Sequence, residues 1–161
     1  MSVKIKKATI KDGLFLEAEY EEFVGEITNK VKKNSRAPIH DDLRNAFKKL
    51  DYHLTKLGDQ YNNEGELDIE HVGCTGFTIG GSGDHEGVTL FGGRILDGDK
   101  YLNIVAPFTK WESVYNEISE LGEIIEECKS EVDAYLFQGK HKPQMVQVEI
   151  DFEDDDMDME G

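Results

Sequence analysis

Nine of the sixteen glycines in this chain fall between Gly73 and Gly98. They separate short strand-like runs: Cys74 to Ile79, Val88-Thr89-Leu90-Phe91, and Tyr101-Leu102-Asn103-Ile104-Val105. Leu67-Asp68-Ile69-Glu70 reads as a further short strand, and Asp97-Gly98 as a hairpin turn. Glycine at such close spacing marks bends and turns, so the middle of the chain predicts an antiparallel meander.

A second strand region precedes it. Val3-Lys4-Ile5-Lys6 alternates with period two, and Leu14 to Tyr20 resumes the pattern after Asp12-Gly13. That dipeptide accepts the positive φ angles of a tight reverse turn, which makes the pair of runs a hairpin. Phe23 to Val31 reads as a third strand, with Gly25 as a bulge or bend.

Two helices are expected outside the meander. Leu43, Phe47, Leu50, Leu54 and Leu57 recur at spacings of four and three, which lines them on one face of a helix over about 41–57. Asp41 or Asp42 supplies a cap, and Gly58 is a natural stop. Thr109-Lys110-Trp111-Glu112 has the pattern of a capping box and would open a helix over about 110–138 that stops at Gly139. Its apolar positions are Val114, Tyr115, Ile118, Leu121, Ile125, Cys128, Val132, Tyr135 and Leu136, with glutamates mostly outward. The expected fold is therefore α+β, an antiparallel sheet of hairpin and meander packed by two helices. Leu43, Phe47, Leu50, Leu54, Ile118, Leu121, Ile125 and Val132 are expected in its core. Residues 1–146 read as one domain, and 147–161 as an appended segment.

Charge is unevenly placed. Of 34 acidic side chains, eight lie in the last fifteen residues, where there is no Lys or Arg. Without them the net charge falls from −16 to −8. A like-charged block with little apolar content cannot offset its ordering entropy, so it is expected to be a disordered, solvated tail. The acidity argues against a membrane surface and against bulk charge-driven DNA binding. No apolar run reaches the roughly 18 residues of a membrane span, and the N-terminus lacks a secretory h-region. Two cysteines, Cys74 and Cys128, with no pairing pattern suggest a reducing, cytosolic compartment.

Lys30 to Lys49 reverses this sign, with seven cations against Asp41 and Asp42. Lys30, Lys32, Lys33, Arg36, Lys48 and Lys49 are the candidate nucleic-acid contacts, because clustered Lys and Arg are the electrostatic footprint of phosphate binding. A solvated surface is the competing reading. No groove interleaving cations with aromatics is evident in the body, as a stacking platform would need.

Catalytic signatures are absent. The Gly80-to-Gly87 loop lacks the Lys-Ser/Thr ending of a P-loop, and Asp84 and Glu86 would repel an anion, so it reads as a hairpin connection. His71, Cys74 and His85 do not complete a structural metal set. Cys74 and Cys128 lie in apolar patterns and read as core. The expectation is a binding protein without enzymatic activity, cofactor or metal.

Gln147-Val148-Glu149-Ile150-Asp151-Phe152 resembles the short peptides by which bacterial replication and repair proteins bind the DNA sliding clamp. It has Val where Leu is usual and an acidic residue before Phe152. The likeness implies that Ile150 and Phe152 enter an apolar pocket while Gln147 fixes orientation by hydrogen bonds, with Val148 also among the partner-binding residues. An edge strand reads equally from the same alternation. The acidic block after it, with Asp154, Asp155 and Asp156, is similar to the C-termini by which single-stranded-DNA-binding proteins recruit partners, although no terminal aromatic is present. Pro38-Ile39-His40-Asp41-Asp42-Leu43 and Tyr135-Leu136-Phe137-Gln138-Gly139-Lys140, with the hairpin and meander, look similar to small uncharacterised proteins in phage genomes. That resemblance implies an accessory of DNA replication or recombination that recruits a protein partner and weakly binds single-stranded DNA, with homo-oligomerisation left open. The alternative is an acidic inhibitor that mimics DNA against a host nucleic-acid-binding or defence protein.

Overall fold

The computed structural model describes residues 2–143. The segment Gln147 to Phe152 and the acidic residues after it therefore lie outside the described residues, as does the expectation of disorder there.

The chain begins with three antiparallel strands, β1 (Ser2–Lys11), β2 (Phe15–Val24) and β3 (Ile27–Asn34). Asp12 and Gly13 both have positive φ, and the Leu14 N–H donates to the Lys11 carbonyl at 2.9 Å, the turn that this dipeptide favours. The third strand differs from expectation. Gly25, also at positive φ, is the turn itself, so Phe23 and Val24 end β2 and the new strand starts at Ile27.

Two short helices follow, α1 (Asp41–Lys48) and α2 (Leu50–Leu57), rather than one. The break falls at Lys49, whose φ/ψ of −65°/−18° stays near helical values. The apolar stripe consequently runs on across it, and Leu43, Phe47, Leu50 and Leu54 are all buried. The cap is His40 and not an aspartate: its Nδ1 accepts the Asp42 N–H at 3.0 Å.

The meander forms β4 (Val72–Gly80), β5 (Gly87–Leu96) and β6 (Lys100–Val105), with turns at the Gly80–Gly87 loop and at Asp97–Asp99. Leu67 to Glu70 is not a strand. Asp68 turns inward to Arg94, and the chain makes a 3-10 turn over Ile69–His71. Thr109–Lys110 is a short strand, β7, and not a capping box. The edge of β5 captures it: Val88 pairs with Thr109, Gly87 pairs with Lys110, and the Trp111 N–H donates to the Glu86 carbonyl. The Thr109 hydroxyl is spent on the Pro107 carbonyl. The last helix, α3, therefore starts at Ile118 and runs to Phe137, and Val114 is fully exposed instead of lying on its stripe.

The sheet order is β3-β2-β1-β4-β5-β6, with β7 on β5. Its two three-strand meanders meet at a short seam, where only Lys7, Ala8 and Thr9 pair with Thr78, Phe77 and Gly76. The three helices pack on one face. Leu16, Ala18 and Tyr20 of β2, Phe77 and Ile79 of β4, and Val88 and Leu90 of β5 meet Leu121, Ile125, Cys128 and Val132 of α3 in one core. At roughly 25 cal/mol per Å² of apolar surface removed from water, this shared core is what holds the two meanders together across so short a seam. Ile118 is the one expected core residue that is only half-buried.

Candidate functional site

Strand alternation puts the charged residues on the opposite face, which carries no helix among the described residues. Since Leu16, Ala18 and Tyr20 point to the core, Glu17, Glu19 and Glu21 point away from it. Register then fixes their neighbours. Glu19 lies between Lys32 and Lys7, and Glu21 between Lys30 and Lys4. Lys11 is opposite Phe15, and the Arg36 guanidinium lies 5.5 Å from the centre of the Phe15 ring. This face gathers Lys4, Lys7, Lys11, Lys30, Lys32 and Arg36 against Glu17, Glu19 and Glu21, with Glu86 at its edge, 3.7 Å from Lys4.

Beyond the seam the same face is aromatic. Phe91 pairs with Gly76, and a Cβ on that glycine would stand 2.6 Å from the Phe91 ring. The Tyr101 ring likewise crosses Gly93, within 2.1 Å of where a Cβ would be. Each ring thus lies against the strand beside it, and only glycine leaves room for it. Tyr101 is 58% exposed, Phe91 is half-buried, and the Lys7 ammonium lies 5.7 Å from the Phe91 ring centre.

The six cations singled out from sequence do not form one surface. Lys30, Lys32 and Arg36 are on the open face. Lys33 points to the helix side, 5.6 Å from the Phe137 ring. Lys48 and Lys49 are on the helix layer, where Lys49 pairs with Glu127 at 2.9 Å. Sequence reasoning missed Lys4, Lys7, Lys11, Phe15, Phe91 and Tyr101. Their signal was present as period-two alternation, but only the pairing of β1 with β4 joins the basic half to the aromatic half. Gln147, Val148, Ile150, Phe152, Asp154, Asp155 and Asp156 lie outside the described residues.

The nucleophile candidates are chemically quiet. Cys74 is buried, its thiol faces the Gly76 and Phe91 carbonyls, and burial pushes it up to about 12. Burial also raises Cys128 well above the ordinary thiol range. A thiol so raised is not ionised near neutral pH and is a poor nucleophile. His71 is taken by Asp68 at 2.8 Å, and His85 faces the Lys110 ammonium at 3.2 Å, so His71, Cys74 and His85 each have other partners.

A polar cluster that the sequence did not suggest sits between α2 and the start of α3. His53 is 1% exposed. Its Nδ1 lies 2.7 Å from the Tyr115 hydroxyl, and its Nε2 lies 3.0 Å from Glu120 Oε1 without hydrogen-bonding geometry. Glu117 accepts from the Tyr52 hydroxyl at 2.7 Å and lies 3.2 Å from Lys56. The Tyr52 hydrogen bond is the main cause holding its carboxyl below the usual range, while burial lowers the His53 imidazole.

No family model, curated protein or solved structure matches this chain. Among the described residues no helix is long and apolar enough to cross a membrane.

Proposed function

We propose that the protein binds single-stranded nucleic acid without catalysis, on the open face of its sheet, as an accessory of DNA replication or recombination. A phage-type protein acting in the bacterial cytoplasm, and recruiting a partner through its C-terminal segment, fits the same reading. One observation carries it: the lysines of β1 and β3 and the flat rings of Phe91 and Tyr101 share the sheet face that carries no helix among the described residues. Bases stack on such rings for about 1–3 kcal/mol each, and cations alongside them track the phosphates. Glu17, Glu19 and Glu21 among the lysines keep the affinity low, and a salt slope of roughly −0.7 per phosphate contacted is expected.

The test is fluorescence anisotropy with a labelled oligothymidylate in low salt. Weak binding that is lost with added salt, and that falls in Tyr101→Ala and in a Lys7→Ala, Lys32→Ala double variant, supports the reading. No binding by the full chain in low salt overturns it.

A second reading has its own observation. α3 carries six carboxylates and one lysine, so the helix layer presents an acidic outer surface opposite the basic sheet face. A DNA-mimicking inhibitor would use that surface. It would displace DNA from a basic DNA-binding protein while binding no oligonucleotide itself.

A further inference from the structure

We propose that His53, Glu117 and Glu120 form a binding site for a divalent metal ion, zinc by its donor set, which ties α2 to the start of α3. The ligand atoms of the three side chains all lie within 4.8 Å of one another. A tetrahedral zinc with bonds of about 2.0–2.1 Å places its ligands about 3.3 Å apart, so closure needs the side chains to draw in by roughly an ångström. Glu120, 62% exposed in its side chain, is free to make that movement.

A buried ring nitrogen without a hydrogen-bond partner points to a cation. The Tyr115 hydroxyl lies 2.7 Å from His53 Nδ1 and 3.3 Å from Glu117 Oε1, and it has one proton to give to either. In the tautomer that satisfies both contacts, the hydroxyl donates to Glu117 and the His53 Nδ1–H donates to the tyrosine oxygen. In that tautomer the neutral imidazole has a bare lone pair on Nε2. That atom is buried and has no hydrogen-bond partner, and a carboxylate oxygen stands 3.0 Å away outside hydrogen-bonding geometry. Two electron-rich atoms so close call for a positive charge between them. A metal ion supplies it.

The surroundings match what a metal-ligating histidine uses. In that tautomer its other ring nitrogen donates to Tyr115, which in turn donates to Glu117. Tyr52 fixes the remaining oxygen of Glu117 at 2.7 Å. One imidazole nitrogen and two carboxylate oxygens suit zinc better than magnesium or calcium, which favour all-oxygen sets. A groove of about 670 Å³, lined by Lys49, Glu123 and Glu127 among others, leaves an approach and room for a water at the fourth position. Lys56 opposes the metal, because its ammonium sits 3.2 Å from Glu117 Oε1; it is 30% exposed and would swing outward as the ion enters.

The experiment uses the full chain stripped with chelator, titrated with zinc chloride by calorimetry and followed by nitrogen NMR of the histidine rings. One equivalent should bind, and the His53 Nε2 resonance should shift with it. Carboxylates elsewhere in so acidic a chain do not move that resonance. Glu120→Gln, a change at an exposed side chain, should weaken binding by at least about tenfold. Glu123→Gln, in the same groove, should leave affinity unchanged. The proposal is overturned if His53 does not respond to one equivalent of zinc, if its ring carries two protons that zinc does not displace at neutral pH, or if Glu120→Gln binds as tightly as the unaltered chain.

Discussion

The carboxylate of Asp51, on α2, accepts the backbone N–H of Cys74, on β4, at 2.7 Å. The β4–β5 register shifts between Cys74 and Gly76, so the irregular strand end finds its acceptor in the helix layer. Asp51→Ala is expected to cost about 1–2 kcal/mol, the price of a part-buried N–H left without its partner. Asp51→Asn keeps an acceptor oxygen and should cost less. Burial raises the Asp51 carboxyl above its ordinary value, with the Cys74 N–H acting against that rise. Its contribution is therefore greatest below the unfolded pKa and is lost as pH rises through the folded one. As pH rises above the ordinary value near 3.8, denaturant midpoints should fall less steeply in Asp51→Asn than in the unaltered chain.

His71 should shape stability at higher pH. Its ring lies 2.8 Å from the buried Asp68 carboxylate, which also receives Arg94 at 2.6 Å. The hydrogen bond that the ring donates to the Asp68 carboxylate raises the His71 pKa. The sign follows: stabilisation by the protonated ring is complete below the unfolded value near 6.5 and is lost as pH climbs through the higher folded value. Urea midpoints of His71→Asn should show a smaller decline across that window. Identical profiles would remove the ion pair from the account.

Two glycine substitutions should separate folding from binding. At Gly76 a Cβ meets the Ala8 carbonyl oxygen at 2.5 Å as well as the Phe91 ring, so the seam backbone must move. Gly76→Ala is expected to cost about 1–3 kcal/mol, as overpacking does. At Gly93 the nearest atoms are the far end of the Tyr101 side chain, which can rotate away. Gly93→Ala should keep more of its thermal stability than Gly76→Ala and still lose oligonucleotide affinity with the displaced ring.

The acidic C-terminal segment should weaken nucleic-acid binding. The last described residues lie beside the basic loop: Ile39 bridges His141, and the Lys142 N–H donates to the Pro38 carbonyl. Ending the chain after residue 143 removes eight carboxylates, and the net charge falls from −16 to −8. Tighter oligonucleotide binding is expected, most visibly at low salt where screening is weakest. Equal affinity for the two forms would show that the segment does not compete for the face.

Local periodicity made much of the fold legible. Leu43, Phe47, Leu50 and Leu54 on one stripe, Leu121, Ile125 and Val132 on another, and the Asp12-Gly13 turn each depend on residues a few positions apart. Those relations hold whatever the rest of the chain does. The places where the reading failed are the places where distant backbone competed. Thr109 and Glu112 satisfy a capping-box pattern, yet the free edge of β5 offers Thr109–Lys110 ladder hydrogen bonds and takes them into β7. Asp68 sits in a strand-like run, but Arg94, twenty-six positions away, draws it into a turn.

The sites divide in the same way. Sequence alone determined that the chain is acidic, that it alternates where strands form, and that Lys30 to Lys49 is rich in cations. Tertiary structure decided which of those cations act together. Neighbouring residues on a strand point to opposite faces, so Lys33 parts from Lys32, while register brings Lys7 and Lys32 to either side of Glu19. The seam between β1 and β4 alone places lysines beside Phe91. His53, Glu117 and Glu120 likewise become neighbours only when α3 docks against α2, because more than sixty residues of chain separate the histidine from the glutamates. Local pattern records which face a side chain occupies within its own element, and packing between elements decides what it meets there.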